Sequence, residues 1–575
     1  MVSPRFDRCW LALLLWAGIP SLALANSQSP LPIATWQSGD KIQMAPVRVS
    51  KDPGIQGQTA STLATANAPQ SLAQAAPTDG SFTLTQIEVL GSTVFTPDTW
   101  QVLIAPLLGE PITLAQLQDL TDAITQRYAE AGYLNSTARL PPQALTDGVA
   151  RIEVIEGRLA SIEVTGAERL SPDYIRDRLH QNLTTPLQFT DLDDAIRLLQ
   201  QDPLFAEVQA QFRAGAEPGE GILAVTVVEA SPWSAEFSVD NYSPPSIGSE
   251  RVGTTVGYGN LTGAGDRLAV TYQHTRGLNR VDLDYTYPLS GQNNTVSASL
   301  GLIRSRVIQA PFDSLGIRAD ANVYELQYRH PLTRTYREEF ALSVGLRHRN
   351  GQTFLFNDLG TPFGAGAETD GTTRTTVITL GQDYLHRDAS GAWAARSQLN
   401  LGTDWFDATV NDAPTPSGSF FSWLFQLQRV QRLSESHLLL LGLDLQLAGD
   451  PLLASEAFYI GGGQSLRGYR QNVRGGDNGL RLSVEDRITL NRRDNGAATL
   501  QLAPFFDVGT VWNHPDNPTA LPSQSFLAGL GLGVIWSPVE RLTVRLDGAI
   551  PLVNLSDRGD NLQEESLYFS VNYGL

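Results

Sequence analysis

Cysteine is nearly absent from this chain, with Cys9 the only one in 575 residues. It lies in an apolar stretch, Cys9 to Ile19, that follows Arg5 and Arg8 and precedes Ala23-Leu24-Ala25. That order of basic, apolar and small residues predicts a secretory signal peptide over residues 1–25, cleaved before Asn26. The alternative, an anchor that stays attached, suits the run less well because it is too short to span a bilayer comfortably. Loss of Cys9 leaves a mature chain with no thiol, which excludes disulfides, Cys-type zinc sites, thiol catalysis and iron–sulfur clusters. Long apolar runs are also missing. After the signal nothing approaches the ~18 consecutive apolar residues of a transmembrane helix, so an exported chain is either soluble or a β-barrel.

Lysine is scarce as well. Lys41 and Lys51 are the only two, so almost every cation is Arg, which grips carboxylates through paired N–H groups and suits a polar interior. Positive charge falls short overall, with 41 Lys and Arg against 60 Asp and Glu. The net charge of −19 argues against nucleic acid as a partner. The seven histidines show no H-E-x-x-H or similar ligand spacing, and neither a G-x-S-x-G elbow nor a phosphate loop occurs. Nothing here points to an enzyme, a metal or a cofactor.

Residues 26–79 are rich in Ala, Gln, Ser, Thr and Pro and read as a flexible leader. Residues 80–230 contain a repeat. Ile87-Glu88-Val89-Leu90-Gly91 returns 75 positions later as Ile162-Glu163-Val164-Thr165-Gly166, and Thr96-Pro97-Asp98 returns as Ser171-Pro172-Asp173. The two tripeptides predict helix starts, with a hydroxyl N-cap, Pro at N1 and an acid in the first turn. Thr113-x-x-Gln116 predicts a capping box for a second helix that stops near Gly132; in the second copy Thr190 stands before the helix and Pro203 closes it. Strands at 151–156 and 223–229 complete two β-α-α-β units, 80–157 and 158–230. Two unrelated small α/β domains are the alternative.

From Ser231 the period becomes two. Val281, Leu283, Tyr285 and Tyr287 alternate with polar residues, as do Leu542, Val544 and Leu546. The end reads Leu567, Phe569, Val571, Tyr573, Leu575, again in alternation. Turn-rich segments such as 360–371 and 411–418 separate such runs. A water-soluble sheet with one wet face shares this pattern. Aromatic residues near strand ends, and full charges on the polar faces that a packed core would not accept unpaired, favour a membrane barrel with a polar lumen. The 345 residues of 231–575 suffice for about 16 strands of roughly ten residues each.

Within that run stands Gly461-Gly462-Gly463-Gln464-Ser465-Leu466-Arg467-Gly468-Tyr469, and forty residues on, Phe505-Phe506-Asp507-Val508-Gly509. With the repeats and the alternating strands, these motifs resemble the two-partner secretion transporters, the TpsB (ShlB/FhaC/HecB) branch of the outer-membrane assembly factor superfamily. The family's tip motif V/I-R-G-F/Y is matched by Leu466, Arg467, Gly468 and Tyr469, with Leu in first place. Its F-x-D-x-G-like strand is matched by Phe505, Asp507 and Gly509. Asn241-Tyr242 through Gly259 to Asp266 is similar to the family's first strands and connecting turn. The last residue departs from the pattern, being Leu575 where such barrels usually end in an aromatic.

The resemblance implies two periplasmic POTRA-like domains before a 16-stranded antiparallel outer-membrane β-barrel, a membrane all-β fold. It also implies a loop around 461–480 folded into the lumen, with Arg467 against Asp507 as a latch. Physically, a guanidinium inside a barrel needs a carboxylate to hold it, Gly468 permits close approach to the wall, and Tyr469 anchors with a polar tip. An ordinary Arg beside Asp477, Glu485 or Asp486 is the alternative. The implied partners are a secreted exoprotein in extended form and outer-membrane lipid around a monomeric barrel. The implied function is export of that exoprotein; insertion of other barrels into the membrane is the rival.

Overall fold

The computed structural model describes residues 81–575 apart from 146, 147 and 182. The expected signal peptide and leader therefore lie outside the described residues. The described chain forms two compact units, one ending at Ala230 and the other beginning at Ser231.

The first unit holds the repeats. In chain order these are β1 (Ser81–Thr83), β2 (Gln86–Leu90), α1 (Pro97–Ile104), β3 (Pro111–Thr113), α2 (Leu114–Glu130), β4 (Thr137–Arg139) and β5 (Val149–Ile155). The second copy comprises β6 (Arg158–Thr165), α3 (Pro172–His180), α4 (Phe189–Gln200), β7 (Phe205–Ala214) and β8 (Glu220–Glu229). Each copy makes a three-stranded sheet, β2-β5-β4 and β6-β8-β7, whose central strand runs parallel to the first and antiparallel to the third. The unit is thus β-α-α-β-β, one strand more than expected. The extra strand escapes a reading by period because β4 has only three residues and β7 carries a bulge between Phe205 and Glu207.

Helix starts follow local chemistry in part. Thr113 and Gln116 form the reciprocal capping box, and the Ser171 hydroxyl accepts from the Asp173 amide. Thr96 makes no cap; its hydroxyl meets that of Thr99 instead. Helix α4 begins at Phe189, with Gln188 at the cap position, which places Thr190 inside the first turn. Each copy has its own core. Trp100, Leu117, Ile124, Tyr128 and Ile152 pack in the first, and Ile175, Leu179, Leu192, Ile196 and Val225 in the second. Full burial stabilises by about 1.5–3 kcal/mol per large apolar side chain.

The copies also share a clamp. Gly91 and Gly166 sit at φ +83° and +84°, where an added Cβ would run into the carbonyl oxygens of Val154 and Val227. Just beyond those carbonyls, Glu156 accepts from the amides of Thr93 (2.7 Å) and Val94 (3.0 Å) and from the Tyr128 hydroxyl (2.6 Å). Glu229 accepts from the amides of Glu168, Arg169 and Leu170 at 2.8–2.9 Å. Burial pushes both carboxyls up, but these donors outweigh it and hold both below the ordinary carboxylate range.

The second unit begins with β9 (Trp233–Asp240), β10 (Arg251–Gly259), β11 (Arg267–His274), β12 (Leu278–Pro288), β13 (Thr295–Arg306) and β14 (Arg318–Arg334). It continues with β15 (Glu338–Leu355), β16 (Leu359–Gly360), β17 (Thr372–Asp388), β18 (Gly391–Thr403), β19 (Phe421–Arg432) and β20 (His437–Ala448). A short pair, β21 (Phe458–Ile460) and β22 (Arg474–Gly476), precedes β23 (Asn478–Arg492) and β24 (Ala498–Trp512). The last are β25 (Phe526–Trp536), β26 (Leu542–Pro551) and β27 (Leu567–Gly574). Sixteen of these strands form a closed antiparallel barrel, in which β27 returns to pair with β9. The two-residue β16 only extends β15, and β21 with β22 forms a separate hairpin.

Closure satisfies every strand edge, which a bilayer core cannot do. The register sends Leu439, Leu441, Leu443, Leu445 and Leu447 of β20 outward and Asp444 and Gln446 inward. Exposed Trp233, Tyr328, Tyr384, Trp393 and Trp536 ring the outside near the short connections, such as 335–337 and 389–390. Exposed Tyr272, Phe421, Trp512 and Phe526 ring it at the opposite end, which carries the long connections such as 404–420 and 449–477. Two such belts mark the two interfaces of a membrane. Many lumen charges are paired, for example Arg280 with Asp282 at 2.7 Å and Arg396 with Asp383 at 2.8 Å.

Candidate functional site: a loop latched inside the barrel

The connection 449–477 between β20 and β23 starts earlier than the expected 461–480, and Asn478 to Leu480 already belong to strand. It is an arm with a tip. The β21–β22 hairpin is the arm, and residues between Ile460 and Arg474 are the tip. Ile460, Leu466, Tyr469 and Val473 bury themselves against Val511 and Leu527, so the tip carries its own small apolar core onto the wall of β24 and β25.

Arg467 is 6% exposed and meets Asp507, which is 0% exposed. Its Nε donates to one carboxylate oxygen of Asp507 at 2.7 Å, its Nη2 to the other at 2.9 Å, and its backbone amide adds a third bond at 3.1 Å. The guanidinium lies 3.4 Å above the centre of the Phe505 ring. Gly509, two residues beyond Asp507 on the same face, leaves room for the Leu480 carbonyl and the Leu466 side chain, which an added Cβ would approach to 2.9 and 3.2 Å. Phe505, Asp507 and Gly509 thus act as one surface, because alternate residues of a strand share a face. One supplies a π-face, one a charge and one a space.

The alternative partners for Arg467 divide. Its Nη1 donates to Glu485 at 2.6 Å, so Glu485 joins Asp507 instead of replacing it. Asp477 lies at the base of the loop and accepts from the Leu452 and His514 amides. Asp486 alternates to the opposite face of β23 and meets His437 at 2.8 Å. Glu485 also receives Arg545 at 2.7 Å and Arg487 at 2.9 Å, and Arg545 reaches Asp547 at 2.7 Å. Three arginines and three carboxylates balance in one buried cluster. Such a cluster tolerates burial only while every member has its partner.

Gly468 adopts φ +108°, with Pro551 at an ordinary 3.4 Å from an added Cβ. Its need is therefore the backbone conformation, more than close approach. That conformation aims its amide at the Tyr568 hydroxyl (2.9 Å), while the Ser566 hydroxyl donates to its carbonyl (3.0 Å). Tyr568 in turn donates to the Tyr469 carbonyl at 2.7 Å. The Tyr469 hydroxyl donates to the Ala528 carbonyl at 2.8 Å and accepts from the Val553 amide at 3.1 Å. Farther out, Arg470 and Arg474 both hold Asp557 of the 552–566 connection.

Glu485, Arg545, Tyr568 and Gly529 are among the site residues that the motifs do not name as members. An added Cβ on Gly529 would strike the Arg467 carbonyl oxygen. A signal for it exists in Gly529, Gly531 and Gly533 alternating with Leu530, Leu532 and Val534. A strand whose inner face is bare glycine leaves a trough for another backbone. Nothing comparable marks Tyr568.

Comparison with known proteins fits this architecture. Residues 219–535, more than half of the chain, match the family of haemolysin secretion/activation protein ShlB/FhaC/HecB, and residues 82–157 match the ShlB-type POTRA domain. The outer membrane transporter CdiB of Escherichia coli is 25% identical over 70% of this chain and 68% of its own length. The heme/hemopexin transporter protein HuxB of Haemophilus influenzae (strain 86-028NP) is 22% identical over 84% of this chain and 86% of its own. The solved structure of CdiB from Escherichia coli shares the fold, with a TM-score of 0.67, 22% identity and coverage of 89% and 93%. The chain belongs to the ShlB/FhaC/HecB family of haemolysin secretion/activation proteins.

Proposed function

We propose that this chain is the outer-membrane transporter of a two-partner secretion pair, and that Arg467 on Asp507 is the latch of its channel. The α/β repeats stand in the periplasm and take up an exoprotein in extended form by adding its strand to a free sheet edge. The longest such edge strand is β7, with ten residues against three for β4. The barrel, a monomer surrounded by lipid, then conducts the chain outward once the tip moves. The work is conduction and breaks no covalent bond. In this reading residues 1–25 direct export and are removed, and 26–79 connect to the repeats at 80–157 and 158–230.

The observation that carries the reading is a charged loop tip buried in a lumen on a charge cluster built to receive it. A passive pore has no use for such a tip, nor for the repeats. Arg467→Ala and Asp507→Ala should each abolish release of the exoprotein into the medium, while heat-modifiable migration on gels reports a folded barrel. Normal secretion by both would remove the latch. Deletion of the protein should cost one large exoprotein and leave other outer-membrane proteins at their usual levels; their general loss would favour the insertase reading.

A further inference from the structure

The tip is not the only place where the 449–477 loop grips the wall. Its ascending stem carries Glu456, 7% exposed, and both carboxylate oxygens are engaged. Arg347 of β15 donates to one at 2.6 Å, and the Thr375 hydroxyl of β17 donates to the other at 3.0 Å. Gln446 of β20 donates to the Glu456 carbonyl at 3.0 Å and to the Asp477 carbonyl at 3.1 Å, which ties the two ends of the loop together. Leu452 adds an apolar foot beside Val377 and Phe420. Three strands, β18, β19 and β20, separate β17 from β23 in the sheet. The stem and the tip are therefore fastened to different arcs of the wall.

We propose that Glu456 is a positioning residue for export, holding the stem as a pivot about which the tip swings when Arg467 leaves Asp507. The inference rests on the latch reading above. Its physical basis is an asymmetry between the two grips. The tip lies farthest from the ends of the loop, and when Arg467 departs Glu485 keeps Arg545 and Arg487 while Asp507 keeps the Ser483 hydroxyl at 2.6 Å. Glu456 sits eight residues beyond the end of β20, where its carboxylate joins β15 and β17 through Arg347 and Thr375 and its carbonyl is tied to β20 by Gln446. The stem is thus held at side chain and main chain close to the root of the loop. The tip is the end that can let go, and the stem is the end that stays. A loop hinged in this way clears a path on the far side, where Gln464 of the tip borders a polar cavity of about 260 Å³ against β9, β10 and β27.

The full chain in lipid nanodiscs tests this by pulsed spin-label distances, with no native cysteine after Cys9 to interfere. One label pair joins Gln464→Cys to outward-facing Leu380→Cys on β17, and the other joins Ala457→Cys to the same Leu380→Cys. In Asp507→Ala the tip distance should broaden severalfold while the stem distance stays narrow; broadening of both overturns the pivot. A tip that stays docked in Asp507→Ala defeats the latch reading, and the pivot is then decided by Glu456→Gln alone. That variant should broaden the stem distance severalfold with the tip narrow, and lower export severalfold while heat-modifiable migration is kept. Arg347→Gln should repeat the result, and the exchanged pair Glu456→Arg with Arg347→Glu should narrow the stem again. An unchanged stem in both Glu456→Gln and Arg347→Gln overturns the pivot.

Discussion

Carboxylates hold a turn in the periplasmic repeats and a loop in the barrel lumen, and the donors they use differ. Glu156 and Glu229 close on backbone amides of the turn that follows the first strand of each repeat. Those amides cannot rotate away or exchange partners without unfolding the turn, although the Thr93 and Tyr128 hydroxyls on Glu156 and the Arg169 guanidinium on Glu229 add side-chain bonds. Asp507 takes one amide, but its main load is a guanidinium on a flexible stem that lies on a ring and shares Glu485 with Arg545 and Arg487. The first kind of clamp makes a domain rigid. The second fixes a geometry that a rearrangement of charge partners can release, and its cost is that every member must be present.

That contrast predicts its own largest effect. Removing one member of a buried ion pair costs about 3–5 kcal/mol because the other is stranded. Arg467→Ala should therefore undock the tip and expose residues 461–473 to protease added outside intact cells. The double variant Arg467→Ala/Asp507→Ala should be less impaired in barrel stability than the two single effects added together, since no charge is left alone. Strict additivity in heat-modifiability would mean that the two side chains do not act as a pair.

Gly529→Ala tests the trough without touching a charge. A methyl group there strikes the Arg467 carbonyl, and the tip must shift by about an ångström, a misplacement that costs on the order of 10²-fold where positioning governs function. Export should fall steeply while Asp507 and Glu485 remain intact. Gly533→Ala, which meets the Asp547 carboxylate and no part of the loop, should leave protease resistance of the tip unchanged. Equal tip exposure in both variants would show that the glycine row serves barrel packing alone.

Tyr568→Phe is a milder cut. It deletes the hydroxyl that joins the Gly468 amide to the Tyr469 carbonyl, leaving a buried donor and a buried acceptor unpaired at about 1–3 kcal/mol. With the charge cluster whole, partial export and intermediate protease sensitivity are expected. Full export would assign the hold on the tip to Arg467 and its apolar core alone.

Much of this fold is readable from period and offset. The leucines of β20 and the aromatic residues of β27 alternate as a lipid-facing wall requires, and the 75-residue offset between Gly91 and Gly166 reflects one strained turn used twice. The latch motif became readable by resemblance, and Asp507 with it. What escaped is non-local. Arg545 and Tyr568 stand on β26 and β27 and reach Glu485 and Gly468 only after barrel closure, so no local pattern distinguishes them from other lumen residues. Glu485 is readable as a neighbour of Arg467, though as a substitute for Asp507 instead of its companion. Thr96 shows the limit at short range. Its hydroxyl had a second hydroxyl in reach at Thr99 and took it, leaving the helix start to Pro97.

The smallest expected effect lies in the repeats and carries a sign in pH. Since the folded carboxyls of Glu156 and Glu229 lie below their ordinary values, their stabilisation is complete above the unfolded carboxyl range. It is lost as pH falls through the folded one. Hydrogen exchange at the amides of Thr93, Val94, Glu168, Arg169 and Leu170, corrected for intrinsic rate, should therefore be slow near neutrality and speed up as the carboxylates protonate below the ordinary Glu range. Glu156→Gln should speed exchange at Thr93 and Val94 already at neutral pH, by an amount equivalent to about 1–2 kcal/mol, and leave the Glu229 turn untouched. Protection at Thr93 and Val94 that is indifferent to both pH and Glu156→Gln would assign the turn to Gly91 and the core, and erase the contrast with the lumen.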